Sequence, residues 1–111
     1  MKDCTDRLVR DGWVAVLYSP GYGAGWSTWQ PDPDVRISML FDPQIADLVQ
    51  RSPDWQEKVE AMARIKYSDA YLGGLQHLKV KWLRQGTQFY IDERDGSESI
   101  VINGEQEWIT A

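Results

Sequence analysis

Residues 42 to 66, Asp42-Pro-Gln-Ile-Ala-Asp-Leu-Val-Gln-Arg-Ser-Pro-Asp-Trp-Gln-Glu-Lys-Val-Glu-Ala-Met-Ala-Arg-Ile-Lys66, put helices into a chain whose other apolar segments have the rhythm of strands. Asp42 is a side chain that caps a helix, and Pro43 suits the first helical position, where the missing N–H costs nothing. Ile45, Leu48 and Val49 then recur at i, i+3 and i+4, on one helical face. Ser52-Pro53 repeats the cap chemistry. The first helix should therefore stop near Arg51 and a second should follow, with Trp55, Val59, Met62, Ala63 and Lys66 at helical spacing and Glu57, Glu60 and Arg64 outside.

Upstream, residues 1 to 12 read as a polar lead-in with at most one short helical turn. Trp13-Val-Ala-Val-Leu-Tyr18 is apolar nearly throughout and bounded by Gly12 and Ser-Pro-Gly, the pattern of a central strand. Val35-Arg-Ile-Ser-Met-Leu-Phe41 is predicted as a second strand, with Val35, Ile37 and Met39 on one face. Downstream, Gly73-Gly74 turns the chain after the second helix. Leu78 to Trp82 alternates apolar and basic residues, Gln88 to Glu93 follows a turn at Arg84 to Thr87, and Asp95-Gly96 is a hairpin signal leading to Glu98 to Ile102. These segments predict a three-stranded antiparallel meander, with Asn103-Gly104 turning again into a short edge strand at Glu107 to Thr110. The expectation is an α+β fold, a single domain over 1–111: an antiparallel sheet of about four to six strands, with two tandem helices inserted between N-terminal and C-terminal strands.

The chain has 111 residues, 42% hydrophobic and 26% charged, which are ordinary globular values. Its apolar runs fall far short of the roughly 20 residues that span a bilayer, and its first residues offer no apolar segment for a secretory signal. A soluble, intracellular protein with no membrane partner is expected. Cys4 is the single cysteine, which excludes an intramolecular disulfide and a multi-cysteine zinc site within one chain. The net charge of −5 argues against a nucleic-acid polymer as partner, because such binding is driven by Lys and Arg. A small phosphate ligand on a local basic cluster is compatible with it.

Enzyme chemistry is poorly supplied. His77 is the only histidine, with no serine or cysteine at a recognisable motif spacing. Gly21-x-Gly23-x-Gly25 lacks both the Gly-x-Gly-x-x-Gly spacing of dinucleotide folds and the lysine of a phosphate loop. Asp92, Glu93, Asp95 and Glu98 form a dense acidic cluster, readable either as a solvated turn or as a hard-cation or acid–base site built from Asp92, Asp95 and Glu98. Lys79, Lys81, Arg84 and Arg94 are the basic counterpart. They form either a soluble sheet face or a small anionic pocket, in which arginine forks phosphate oxygens and a ring stacks on a base. Leu17 to Trp29 packs Gly21, Gly23 and Gly25 among Tyr18, Tyr22, Trp26 and Trp29. It is either a tightly packed corner or a surface for a flat ligand or partner subunit, with Tyr22 or Trp26 offering the ring.

With Trp82-Leu-Arg-Gln-Gly-Thr-Gln-Phe-Tyr-Ile-Asp-Glu-Arg-Asp-Gly-Ser-Glu-Ser-Ile100 and the upstream Leu-Tyr-Ser-Pro-Gly-Tyr-Gly-Ala-Gly-Trp26, the chain resembles the phage Thoeris anti-defence sponge family, the first type described. The resemblance spans about residues 13 to 102. It implies a non-enzymatic protein of the infected bacterial cytoplasm that sequesters a cyclic ADP-ribose-type signal, or in some members cyclic oligonucleotides. It further implies homo-oligomers, dimer or hexamer, with nucleotide held between subunits by aromatic, arginine and acidic residues. Phe89, Asp95 and Arg84 are the positions carried over, with Trp82 and Tyr71 beside them. Together with the polar cluster and the glycine-rich stretch, the expected ligand-binding set is Tyr22, Trp26, Tyr71, Trp82, Arg84, Phe89, Asp92, Arg94, Asp95 and Glu98, with no catalytic residue, metal or cofactor. The alternative is a phage-encoded protein-interaction module or inhibitor with an acidic, aromatic surface.

Overall fold

The structure, a computed structural model, describes residues 7–20, 25–28, 30–68, 75–94, 97–102 and 109–110. The chain begins with a hairpin of β1 (Val9–Arg10) and β2 (Trp13–Tyr18). Its two-residue loop, Asp11-Gly12, has φ of 53° and 84°. Positive φ at both central residues is the geometry that matches strand twist, and Asp-Gly is a favoured pair for it. The expected polar lead-in thus contains a strand, because Asp11-Gly12 supplies the turn.

Helices α1 (Pro33–Phe41), α2 (Pro43–Arg51) and α3 (Trp55–Lys66) follow. Only Asp42 separates α1 from α2, so the two form one helical run bent at that residue. The segment Val35 to Phe41, predicted as a strand, is helical because Asp32-Pro33 starts it as Asp42-Pro43 starts the next. The Asp32 side chain accepts from the Asp34 N–H at 2.8 Å, and that of Asp42 from the N–H groups of Gln44 and Ile45, both at 3.0 Å. Tandem helices at α2 and α3 are as predicted, with Ile45, Val59 and Ala63 buried and Leu48, Val49, Trp55 and Met62 packed on the same core. Helix α3 begins two residues later than Pro53, after a turn in which the Ser52 hydroxyl donates to Asp54.

A 3-10 turn (Leu75–His77) leads to β3 (Lys79–Arg84), β4 (Gln88–Arg94), β5 (Ser97–Ile102) and β6 (Ile109–Thr110). The strands form two antiparallel sheets, ordered β1-β2-β3 and β5-β4-β6. The fold is α+β, but the expected single sheet is divided. The three-stranded meander is broken between β3 and β4: β3 pairs with β2, from Trp13 opposite Arg84 to Tyr18 opposite Lys79. Gly86, at φ 92°, lies in the turn that carries the chain across, and Gln85 N–H donates to the Gly12 carbonyl at 2.7 Å.

The alternation of β2 explains the layering. Ala15 and Leu17 face one core with Ile45, Ala46, Val59 and Ala63 of α2 and α3. Val14 and Val16 face a second core with Leu40, Phe41 and Phe89, where the Phe41 and Phe89 rings meet edge to face at 6.2 Å. A strand buried on both sides is thus central, as its composition predicts. Among the described residues no helix is long and apolar enough to cross a membrane.

One carboxylate ties the start of the chain to its end. Glu98, only 1% exposed, accepts from the N–H of Ser19 at 2.9 Å through Oε1. Its Oε2 accepts from the N–H groups of Trp26 and Thr28, at 2.7 and 3.1 Å, and from the Thr28 hydroxyl at 2.6 Å. Glu98→Ala strands those donors. At about 1–3 kcal/mol for each buried group left unmade, it should cost on the order of 4 kcal/mol, read as a lower urea midpoint. Thr28→Val, losing one bond, should cost about 1 kcal/mol. Equal midpoints for the two variants would sink the assignment of Glu98 as the common acceptor.

Candidate functional site

The expected binding residues separate by strand face and depth. Trp26 and Phe89 are fully buried. The Trp26 indole N–H donates to the Met39 carbonyl at 2.8 Å and the Phe89 ring is packed on Phe41, so neither ring offers a face to a ligand. Glu98 is consumed by its loop. On β4 and β5 the register sets Glu93 opposite Glu98 and Asp92 opposite Ser99, which puts Asp92 and Glu98 on opposite faces of the sheet. The proposed acid–base or cation grouping of these two is not formed. Arg94 and Asp92 share the outer face and pair with each other at 3.2 Å. Tyr22, Tyr71 and Asp95 lie outside the described residues, as do the Gly73-Gly74 and Asn103-Gly104 turns. Among the described residues no group of three His, Cys, Asp or Glu is placed to hold a metal ion.

Trp82 and Arg84 do come together, and with residues not on the expected list. Arg10, Trp13 and Arg84 stand in one cross-strand row over β1, β2 and β3. The Arg84 guanidinium lies 5.2 Å from the Trp13 ring centroid. Trp82, opposite Ala15, is on the same face, with the Arg10 guanidinium 5.6 Å from its ring. Its indole N–H donates to Gln50 on α2 at 2.8 Å, which fixes the ring. Trp13 remains 41% exposed. Asp47 accepts from Arg51 at 2.7 Å and Arg10 at 3.4 Å, while among the described residues no carboxylate pairs with Arg84. The row is therefore a basic, aromatic strip in a chain of net charge −5. A cation over an exposed ring is worth only about 0.5–1 kcal/mol, so the Arg84 contact holds the Trp13 ring weakly.

The row was hidden because Trp13 and Arg10 are distant in sequence from Trp82 and Arg84, and only the β2–β3 pairing joins them. The Asp11-Gly12 signal would have located half of it.

A cleft of about 330 Å³ lies elsewhere, lined by Gln30, Pro31, Asp32, Val35, Lys66, Tyr67 and Ser68. Beneath it, the Tyr67 hydroxyl donates to Asp42 at 2.6 Å and meets the Ser38 hydroxyl at 2.9 Å. Lys66 Nζ donates to Asp42 and Gln44, both at 2.8 Å. Burial first, then donation to the Asp42 carboxylate, pushes the Tyr67 phenol well above its usual range.

A phenol whose pKa is raised by folding stabilises the native state fully below its unfolded value, about 10, and loses that contribution as pH climbs through the folded value. Stability should therefore fall as pH rises above about 10. Tyr67→Phe should lower stability by about 1–2 kcal/mol near neutrality and flatten that alkaline slope. Urea titrations at stepped pH test this, and an unchanged slope in Tyr67→Phe would reject it. No protein family, no curated protein and no solved structure matches the chain.

Proposed function

We propose that the chain is a non-catalytic sponge for a small, flat, anionic signal, a cyclic ADP-ribose-type or cyclic oligonucleotide molecule, which it sequesters intact. The observation that supports this most is the in-register Arg10–Trp13–Arg84 row with Trp82 behind it. Stacking on an indole is indifferent to base identity, and flanking guanidiniums fork phosphate oxygens. The strip carries few positive charges on an acidic protein, which suits a small ligand better than a long phosphate backbone. In this reading the base enters on the exposed face of Trp13 while Arg84 and Arg10 turn to the phosphates. The place of action is the cytoplasm of the infected bacterial host, where the protein counters an immune signal as the resembled phage sponges do.

A second reading, a homo-oligomeric or protein-interaction surface, draws on Val9. It is 42% exposed on the edge strand β1 and pairs with Val14, on the other face of the sheet from the strip, so a second subunit laid over this edge would cover Val9 together with the 41% exposed Trp13. A site shared between subunits would unite the two readings.

Calorimetry of the full chain with a panel of cyclic nucleotides tests the proposal, with mass spectrometry of what is released on denaturation. Saturable binding with recovery of intact ligand is expected. Trp13→Ala should weaken it on the order of ten- to a hundredfold, the loss of one stacked base, and Arg84→Ala about tenfold. Absence of binding at millimolar nucleotide, or recovery of a cleaved product, would overturn the sponge. A stoichiometric protein captured regardless of nucleotide would favour the interaction surface.

A further inference from the structure

The cleft between the start of α1 and the end of α3 takes no part in the stacking strip, and its lining has a different chemistry. At about 330 Å³ it stands at the low end of the roughly 300–1,000 Å³ typical of small-molecule sites. Pro31, Val35 and the ring of Tyr67 give it apolar walls. The ring is held in place by the bonds of its hydroxyl to Asp42 and Ser38. Two charged residues line it, and they are not equivalent. The Lys66 ammonium is committed to Asp42 and Gln44, neither of which lines the cleft, and the buried Asp42 carboxylate offsets its charge. Asp32 is exposed at the mouth, where one oxygen accepts from the Asp34 N–H. Arg36 donates through Nε to the carbonyl of the cleft residue Gln30 and brings one positive charge to the rim. Asp32 and Asp34 together still outweigh that charge and the roughly half positive charge of the α1 N-terminus, and the end of α3 adds the negative pole of its own dipole. The mouth is thus net negative over an apolar floor.

We propose that this cleft binds a small organic cation with an apolar body, an alkylamine or a guanidine. Its charge rests against Asp32, and its body lies on Pro31, Val35 and the Tyr67 ring. The ring face adds an attraction for the cation. An anionic ligand is disfavoured here by the same carboxylates, which separates this site from the arginine strip.

The test is titration of the full chain with agmatine and phenethylamine, followed by calorimetry and by amide shifts of the cleft residues, with 2-phenylethanol as the neutral control. Asp32→Asn keeps a good helix cap while removing the charge, and Ser68→Trp fills the cleft from an exposed position. Saturable binding of the amines is expected, weakened about tenfold or more by Asp32→Asn and lost in Ser68→Trp. No saturation up to about 10 mM, equal affinity in Asp32→Asn, or a neutral control that binds as tightly would each overturn the proposal. An arginine-bearing peptide that binds more tightly than agmatine would overturn the free cation in favour of a partner's side chain, and weaker binding would support it.

Discussion

Four donors converge on a single buried carboxylate, and the arrangement of the rest depends on it. Without Glu98 the backbone around Ser19, Trp26 and Thr28 has no shared acceptor, and interior N–H groups are costly to leave unmade. With it, the loop after β2 closes onto the first residues of β5. The Glu98 N–H returns a bond to the Ser19 carbonyl at 2.8 Å, and the Ser97 hydroxyl donates to the Pro20 carbonyl at 2.7 Å. The two sheets are stitched by polar contacts at one end and by Phe41, Phe89, Val14 and Val16 across the middle. Fixing Trp26 has a further effect. Its indole donates to the Met39 carbonyl and its own carbonyl accepts from Gln30, so the anchored loop also sets where α1 runs.

Asp42 plays the corresponding part on the helical side. A carboxylate 1% exposed needs partners for its charge, and it receives them from both directions. The α2 N-terminus supplies backbone N–H groups, and the end of α3 supplies Lys66 and Tyr67. One side chain thus caps a helix, bends the α1–α2 run and fixes the end of α3 behind the cleft. Both buried acids are satisfied by the fold, which leaves neither free to act on a ligand.

Local chemistry was legible wherever one residue determines its own neighbourhood. The apolar run of β2, the cap at Asp42-Pro43 and the alternation of Lys79 and Lys81 with Val80 and Trp82 all lead to the observed elements. Asp32-Pro33 carries the same cap signal, yet Val35, Ile37 and Met39 also have the period-two spacing of a strand. The helix wins because its cap is satisfied and because Met39, Leu40 and Phe41 are buried together at its end, reaching the two cores flanking β2. The division into two sheets was not legible, since pairing of β3 with β2 rather than β4 spans more than sixty residues. Local pattern does not encode that choice.

The same long-range pairing redistributes the aromatic and acidic residues that made the later hairpin look like a binding site. Strand alternation sends Phe89 and Glu98 inward and Asp92 and Arg94 outward, so residues adjacent in sequence cannot gather around one ligand. Pairing of β2 with β3 does the reverse, placing Trp13 against Arg84 and Ala15 against Trp82. Trp82 is held by Gln50, whereas Trp13, 41% exposed, carries the Arg84 guanidinium over its ring. On the proposed reading, that exposure makes Trp13, rather than the buried Trp26 or Phe89, the ring for a ligand or a second subunit.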